Sequence, residues 1–273
     1  MTDAHCHPHD LLRYTHNIEG DLAETGTICA ANSWNLEQFE YHKALAKKTN
    51  REHGTAFFCC FALHPQLAPS FAEDGNSREL NISLTGGLDL LHSLASRKLL
   101  DAVGETGFDL YDERFKATEA LQDHIFTCHL ETALTYDLPL VLHIRRAMHK
   151  VFPFVPHLKK LSAVVFHSWS GTKGEGESLL KRGVNAFFSF GTPVLNNHQQ
   201  SMICASSFPA ENILLETDAP YQPLRGKAFS SWDDLPAICA GIAALRKKTG
   251  SLCNDPDDLE TQTTDNFFKV FSR

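Results

Sequence analysis

LPLVLHIR, residues Leu138–Arg145, decides the fold. Apolar residues follow one another there without polar alternation until His143 ends the run. That is the pattern of a strand buried on both faces that delivers a polar side chain at its C-terminal end. Working outward, runs of this kind are Met1–His5, Gly26–Asn32, Thr55–Leu63, Leu99–Glu105, Leu138–His143, Ala163–His167, Asn185–Phe190 and Ile213–Thr217. Between them, Leu36–His53, Gly87–Arg97, Arg114–Thr135, Arg146–Leu161, Lys173–Arg182 and His198–Phe208 carry apolar residues at spacings of three and four, which predicts helices. Ser230–Gly250 and Pro256–Phe271 supply closing helices, the second with Pro256 in its first turn and Asp257, Asp258 and Glu260 near its positive end. Repeated βα units predict a parallel sheet, and eight of them favour a single closed (β/α)8 TIM barrel, with a doubly wound open sheet as the alternative.

The chain is 273 residues long, enough for one such domain over residues 1–273, and no Pro/Gly-rich linker divides it. Pro65–Thr85 reads as a βα loop or an irregular lead into the next helix, and Ala219–Asp234 as a long loop after the last strand. With 25 Lys+Arg against 33 Asp+Glu, the net charge of −8 argues against a broad basic footprint for duplex nucleic acid. It leaves room for a narrow site. No run approaches the roughly 18 apolar residues of a membrane span, and the N-terminus lacks a signal-peptide pattern, so a cytoplasmic location with no membrane partner is expected; a monomer is the expected state. The eight cysteines have irregular spacing and no C-x-x-C pair, which predicts buried thiols rather than disulfides or a zinc knuckle. The unusual count is 15 histidines.

Several of those histidines are organised. On the strand scheme His5 and His7 leave strand one, His64 strand three, Glu105 strand four, His143 strand five, His167 strand six and Asp218 strand eight. The C-terminal ends of barrel strands converge on one face, where active sites sit. Imidazoles and carboxylates gathered there are costly unless a cation holds them. Nitrogen and oxygen donors without thiolate suit Zn²⁺, Mn²⁺, Fe²⁺ or Ni²⁺ and accept Mg²⁺. Taken as ligands, four of these histidines and the two carboxylates already exceed what one catalytic zinc takes, which points to two divalent ions bridged by a carboxylate.

The segments DAHCH (Asp3–His7), LHP (Leu63–Pro65), GETGFD (Gly104–Asp109), LPLVLHIR, HSWSG (His167–Gly171) and ETDAPY (Glu216–Tyr221) occur in the order found in the TatD family. With the ending TTDNFFKVF (Thr263–Phe271), the sequence resembles a TatD-type metal-dependent hydrolase over nearly its whole length. The resemblance implies a (β/α)8 barrel, phosphodiester hydrolysis on DNA of the 3′-to-5′ exonuclease kind, and a centre of two divalent ions, Mg, Mn or Zn. It implies that His5 and His7 hold one metal with Asp218, that His143 and His167 hold the second, that Glu105 bridges both, and that His64 lies near the substrate phosphate. Three departures bear on the substrate. His64-Pro65 is followed by Gln66 where the family has a second histidine, Arg145 by Arg146 where it has an acid, and no R-N-[ED]-P element follows Tyr221.

For such a reaction Asp218 is the expected general base, with Glu105 the shared catalytic carboxylate. Arg145 is a candidate phosphate clamp, and Asp3 and Asp109 are assigned to orienting imidazoles. Trp169 is open between stacking on a base and filling the barrel top. The other histidines (His9, His16, His42, His53, His92, His124, His129, His149, His157, His198) read as surface or packing residues. DNA ends or single strands are the expected substrate. An ester or amide hydrolase, for instance one that deacylates D-aminoacyl-tRNA, is the alternative, and a non-catalytic metal scaffold comes third.

Overall fold

Eight parallel strands form one sheet in chain order in the computed structural model, which describes residues 1–53, 57–74, 76–77 and 82–272. They are β1 (Thr2–Cys6), β2 (Ile28–Ser33), β3 (Phe57–Phe61), β4 (Ala102–Asp109), β5 (Leu140–Arg145), β6 (Val164–Phe166), β7 (Ala186–Phe190) and β8 (Ile213–Leu215). Each pairs with its sequence neighbour, and the chain closes where β8 returns to β1. There Asp218 donates its N–H to the His5 carbonyl at 2.9 Å, and His7 donates its own to the Ala219 carbonyl at 2.7 Å. The seam is reinforced by the Asp3 carboxylate, which accepts from the Thr217 N–H at 2.9 Å and hydroxyl at 2.6 Å. This is the barrel, not the open sheet.

The longer helices between the strands are α1 (Ile18–Thr25), α2 (Leu36–His53), α3 (Leu84–Ser96), α4 (Glu119–Tyr136), α5 (Lys173–Lys181) and α6 (Gln199–Ser207); α7 (Leu235–Thr249) and α8 (Pro256–Phe271) close the chain. The predicted helix 146–161 is instead two single turns, Met148–Val151 and Val155–Leu158, joined by a 3-10 turn. Pro153 and Pro156 supply no N–H, and each disfavours helix in the residue before it. The region 114–135 is likewise split, with a separate turn at Glu113–Lys116. Helix α1 carries too short an apolar pattern to have been read from sequence. Within the segment 65–85, read as a loop or an irregular lead into the next helix, Pro65–Leu67 is a 3-10 turn and Ala68–Asp74 a short helix; part of that segment, and Thr55 and Ala56, expected to begin strand three, lie outside the described residues.

Because strand side chains alternate, the residue two before each inward polar group also faces in. Ala30, Val141, Val165, Phe187 and Leu214, two before Asn32, His143, His167, Ser189 and Glu216, belong to one buried cluster that Phe267 and Phe271 of α8 join. An apolar floor thus lies beneath a polar layer. Each fully buried phenylalanine there contributes about 1.5–3 kcal/mol. The alternate strand residues, among them Cys59, Phe61, Leu140, Leu142, Phe166 and Phe188, pack outward in the larger core with the helices. All eight cysteines are free, six of them buried. No described helix is long and apolar enough to cross a membrane.

Candidate metal centre

The polar layer is built from strand ends, with one difference from the sequence reading. Glu105 does not end its strand, because β4 continues to Asp109. Pairing with β5 shifts register between Val103 and Thr106, and a local irregularity of this kind re-aims a side chain. Gly107 then passes close to β5 with φ +136, where an added Cβ would stand 2.2 Å from the His143 carbonyl oxygen. Only glycine fits that crossing.

The two oxygens of Glu105 face different partners. Oε1 lies 2.7 Å from His143 Nδ1, 3.2 Å from His64 Nε2 and 3.5 Å from His167 Nε2. Oε2 lies 3.2 Å from His5 Nε2 and 3.6 Å from His7 Nε2. Asp218 Oδ1 sits 3.7 Å from His5 Nε2 and 3.6 Å from His7 Nε2, and its Oδ2 is 3.9 Å from His167 Nε2. Three ligand sets of metal-holding geometry result: His5 with His7 and Glu105, His5 with His167 and Asp218, and His64 with Glu105 and His143. The structure thus gathers all the residues read as ligands and brings His64 in among them. His64 also accepts the Gln66 N–H at Nδ1, 3.1 Å away, so it caps the turn after Pro65 while its other nitrogen reaches Glu105.

A cation fits this donor set. His5 Nε2 and His7 Nε2 point at one another 3.1 Å apart, and two carboxylate oxygens join them. His7 Nδ1 is buried with no hydrogen-bond partner. His167 Nδ1 is held by Glu216 Oε2 at 2.9 Å and His143 Nε2 by Asp109 Oδ2 at 3.1 Å, the carboxylate–histidine arrangement that turns the other ring nitrogen toward a metal. Asp109 is itself fixed by the Gln66 side-chain amide at 2.7 Å. Asp3 does not touch an imidazole. It accepts from the backbone of His5 and from Thr217, so it holds the seam and the backbone that carries His5.

Burial would push Glu105 up, but the charges of His64, His5 and His167 and the His143 hydrogen bond outweigh it and hold the carboxyl well below its usual range. Asp218 is lowered by the same contest, with His167 and His7 opposing burial. Conversely, burial would lower His143, yet Asp109 and Glu105 raise it to about 8. His167 is raised to about 10, burial being outweighed by Glu216, Glu105 and Asp218. His5 and His64 are lowered, burial dominating both.

These directions fix a pH dependence. Both raised imidazoles exceed the ordinary 6.5, so what they add to the stability of the metal-free chain is fully present below that pH. It is lost as the pH climbs through about 8 for His143 and about 10 for His167. A divalent ion takes only deprotonated nitrogens and must displace those protons. Metal affinity is therefore expected to rise between pH 6.5 and 8 with release of protons, measurable by calorimetric titration in buffers of different ionisation enthalpy. Affinity indifferent to pH, with no protons released, contradicts this.

Above the polar layer a cavity of about 710 Å³ opens to solvent, lined by Trp34, His64, Arg145, His198, Tyr221 and Gln222 among others. Trp34 and Tyr221 flank His7, with ring centroids 5.2 and 5.3 Å from its own. Trp169 does not reach the mouth; it packs on Phe166, Phe188 and Phe208 and is buried. Of the histidines left without a role, His42 and His129 are core residues bonded to Ser33 and Thr106, and His198 lines the cavity. Sequence reasoning missed Trp34, Tyr221, Glu216 and Gln222. Gln222 donates from Nε2 to Asp218 Oδ2 at 2.7 Å. The signal for Glu216 was present, since it stands two residues before Asp218 on an inward-facing strand end.

Comparison with known proteins gives the family and the fold. The model of the family described as TatD related DNase matches residues 2–272. A 3′-5′ ssDNA/RNA exonuclease TatD of Erwinia amylovora is 31% identical, covering 81% of this chain and 80% of its own. The corresponding exonuclease of Cronobacter sakazakii is 28% identical, covering 86% and 83%. The crystal structure of a TatD homologue from Escherichia coli K12 superposes with a TM-score of 0.79 at 23% identity, covering 100% of this chain and 98% of that one.

Proposed function

The chain belongs to the family of TatD-related DNases, and on that premise we propose that it is a two-metal hydrolase that removes nucleotides from the 3′ ends of single-stranded DNA or RNA. The observation that carries the two-metal reading is the division of Glu105, one oxygen toward His64, His143 and His167 and the other toward His5 and His7. In this reading His5 and His7 hold one ion with Asp218 and His143 and His167 the other, with His64 close enough to Glu105 to serve either as a ligand or against the phosphate. Two divalent ions supply Lewis acidity toward the phosphoryl oxygen and the leaving 3′ oxygen and lower the pKa of water.

The rest of the chemistry falls to the chain's own groups. Gln222 holds Asp218 through Oδ2, which leaves Oδ1 directed between His5 and His7. Asp218 is the group read as taking the proton of the attacking water. Glu216 and Asp109 keep His167 and His143 turned toward Glu105. Trp34 and Tyr221 offer rings on which the terminal base stacks beside His7. Stacking of one base on an aromatic residue is worth about 1–3 kcal/mol, so Trp34→Ala is expected to raise KM for single-stranded DNA about tenfold with little change in kcat. An unchanged KM removes Trp34 from the binding site.

Hydrolysis of an ester or amide, such as D-aminoacyl-tRNA, is the second reading, favoured by Gln66 standing where a second imidazole for the phosphate is absent and by its engagement with Asp109. The test is a side-by-side assay of the metal-loaded enzyme on end-labelled single-stranded DNA and RNA, D-aminoacyl-tRNA and small esters. Metal-dependent release of terminal nucleotides is expected. Ester turnover with no nucleotide release under any divalent ion reverses the assignment.

A further inference from the structure

Two cations meet on one ring at the rim of the site. Arg145 and Arg146 place their guanidinium carbons 3.6 and 4.4 Å from the centroid of the Tyr111 ring. A regular strand would send consecutive residues to opposite faces. Arg146 instead adopts φ +56, a left-handed conformation costly for a residue with a side chain, and its Nη1 donates to the Tyr111 carbonyl at 3.1 Å. The turn at the end of β5 therefore gathers charges that strand geometry would separate. Among the described residues no carboxylate pairs with either arginine, although the chain carries more acids than bases. Both side chains are exposed, and Tyr111 is 41% exposed. Stacking on the ring keeps the forks flat and, apart from the Arg146 Nη1 group bonded to the Tyr111 carbonyl, leaves their N–H donors open to a ligand.

Their position relative to the metal centre gives this pair a ligand. Arg145 follows His143 by two residues on the same face of β5, which is about 6.6 Å of strand, and both line the cavity. That distance matches one backbone step of an extended single strand. We infer that Arg145 and Arg146, gathered on Tyr111, form a second phosphate subsite for the phosphodiester next in line, on the 5′ side, after the one at the metal centre. The inference rests on the nuclease reading and sharpens it: the substrate is a strand with at least two linkages at its 3′ end, engaged at both.

The test is a binding cycle, read by fluorescence anisotropy of a labelled oligothymidylate whose terminal linkage is a phosphorothioate that resists cleavage. In a second probe the next linkage is an uncharged methylphosphonate. Wild type is expected to bind the second probe about tenfold more weakly at low salt, and Arg146→Gln to bind the first about tenfold more weakly while ignoring the methylphosphonate. Arg146→Lys should recover much of the loss, and equal thermal midpoints for the three proteins exclude misfolding. If Arg146→Gln responds to the methylphosphonate as strongly as wild type, the subsite is elsewhere. Nucleotide release by wild type in that case preserves the nuclease reading, whereas neither release nor binding by wild type overturns both.

Discussion

Glu105→Gln is expected to reduce kcat/KM on a single-stranded substrate by at least about a thousandfold, or about 4 kcal/mol of transition-state stabilisation. The size follows from how the carboxylate is shared. Oε1 serves His64, His143 and His167, and Oε2 serves His5 and His7. A glutamine keeps one oxygen and replaces the other with an NH2. Whichever way the amide turns, one set of imidazole nitrogens meets hydrogens where an ion should bind, and the site loses a negative charge that balanced the cations. The loss therefore falls on both halves of the centre at once, unlike the loss of any single histidine. Steady-state kinetics on end-labelled DNA, with excess Mn²⁺ to separate weak binding from slow chemistry, measures it. Activity within tenfold of wild type removes Glu105 from the centre.

Asp218→Asn is expected to act on the chemical step. Asp218 is buried, lies within reach of His5, His7 and His167, and is held on its second oxygen by Gln222. Gln222 donates, so the asparagine oxygen would turn to it and the NH2 would replace Oδ1 between His5 and His7. An amide nitrogen there neither binds a cation nor accepts a proton. Removal of a general base costs about 10² to 10⁴ in rate, so kcat should fall by that amount while KM stays within a few-fold. A large rise in KM with kcat preserved makes Asp218 a substrate-binding group instead.

How much of this was legible in sequence depends on what each residue's position rests on. Barrel strands are short, buried on both faces and end abruptly, so a histidine or carboxylate closing an apolar run stands out; His5, His7, His143, His167 and Asp218 were readable for that reason. Glu105 was found at the wrong place in its strand, because a register shift beside Gly104 cannot be seen as a change of composition. Residues that act through neighbours were harder. Gln222 reaches Asp218 from a turn with φ +55, and Trp34 joins the mouth only once β2 is set beside β1 and β3. Trp169 and Trp34 both follow strand ends, yet Trp169 meets Phe166, Phe188 and Phe208 and is buried while Trp34 faces the cavity. That difference is made by tertiary contacts: Ser201 of α6 donates its hydroxyl to the Trp169 carbonyl, and Phe208, at the end of α6, meets the Trp169 ring. The break in the helix after β5 is itself legible in the sequence, as Pro153 and Pro156.

The most direct measurement of the central claim is the number of divalent ions bound per chain. Purified protein is stripped with a chelator, reloaded with Mn²⁺, passed through a desalting column and analysed for metal against protein, with Glu105→Gln treated in parallel. A centre divided by Glu105 predicts two equivalents in wild type and one or fewer in the variant. One equivalent or none in wild type, or an undiminished two in Glu105→Gln, would contradict a two-metal site built on that carboxylate.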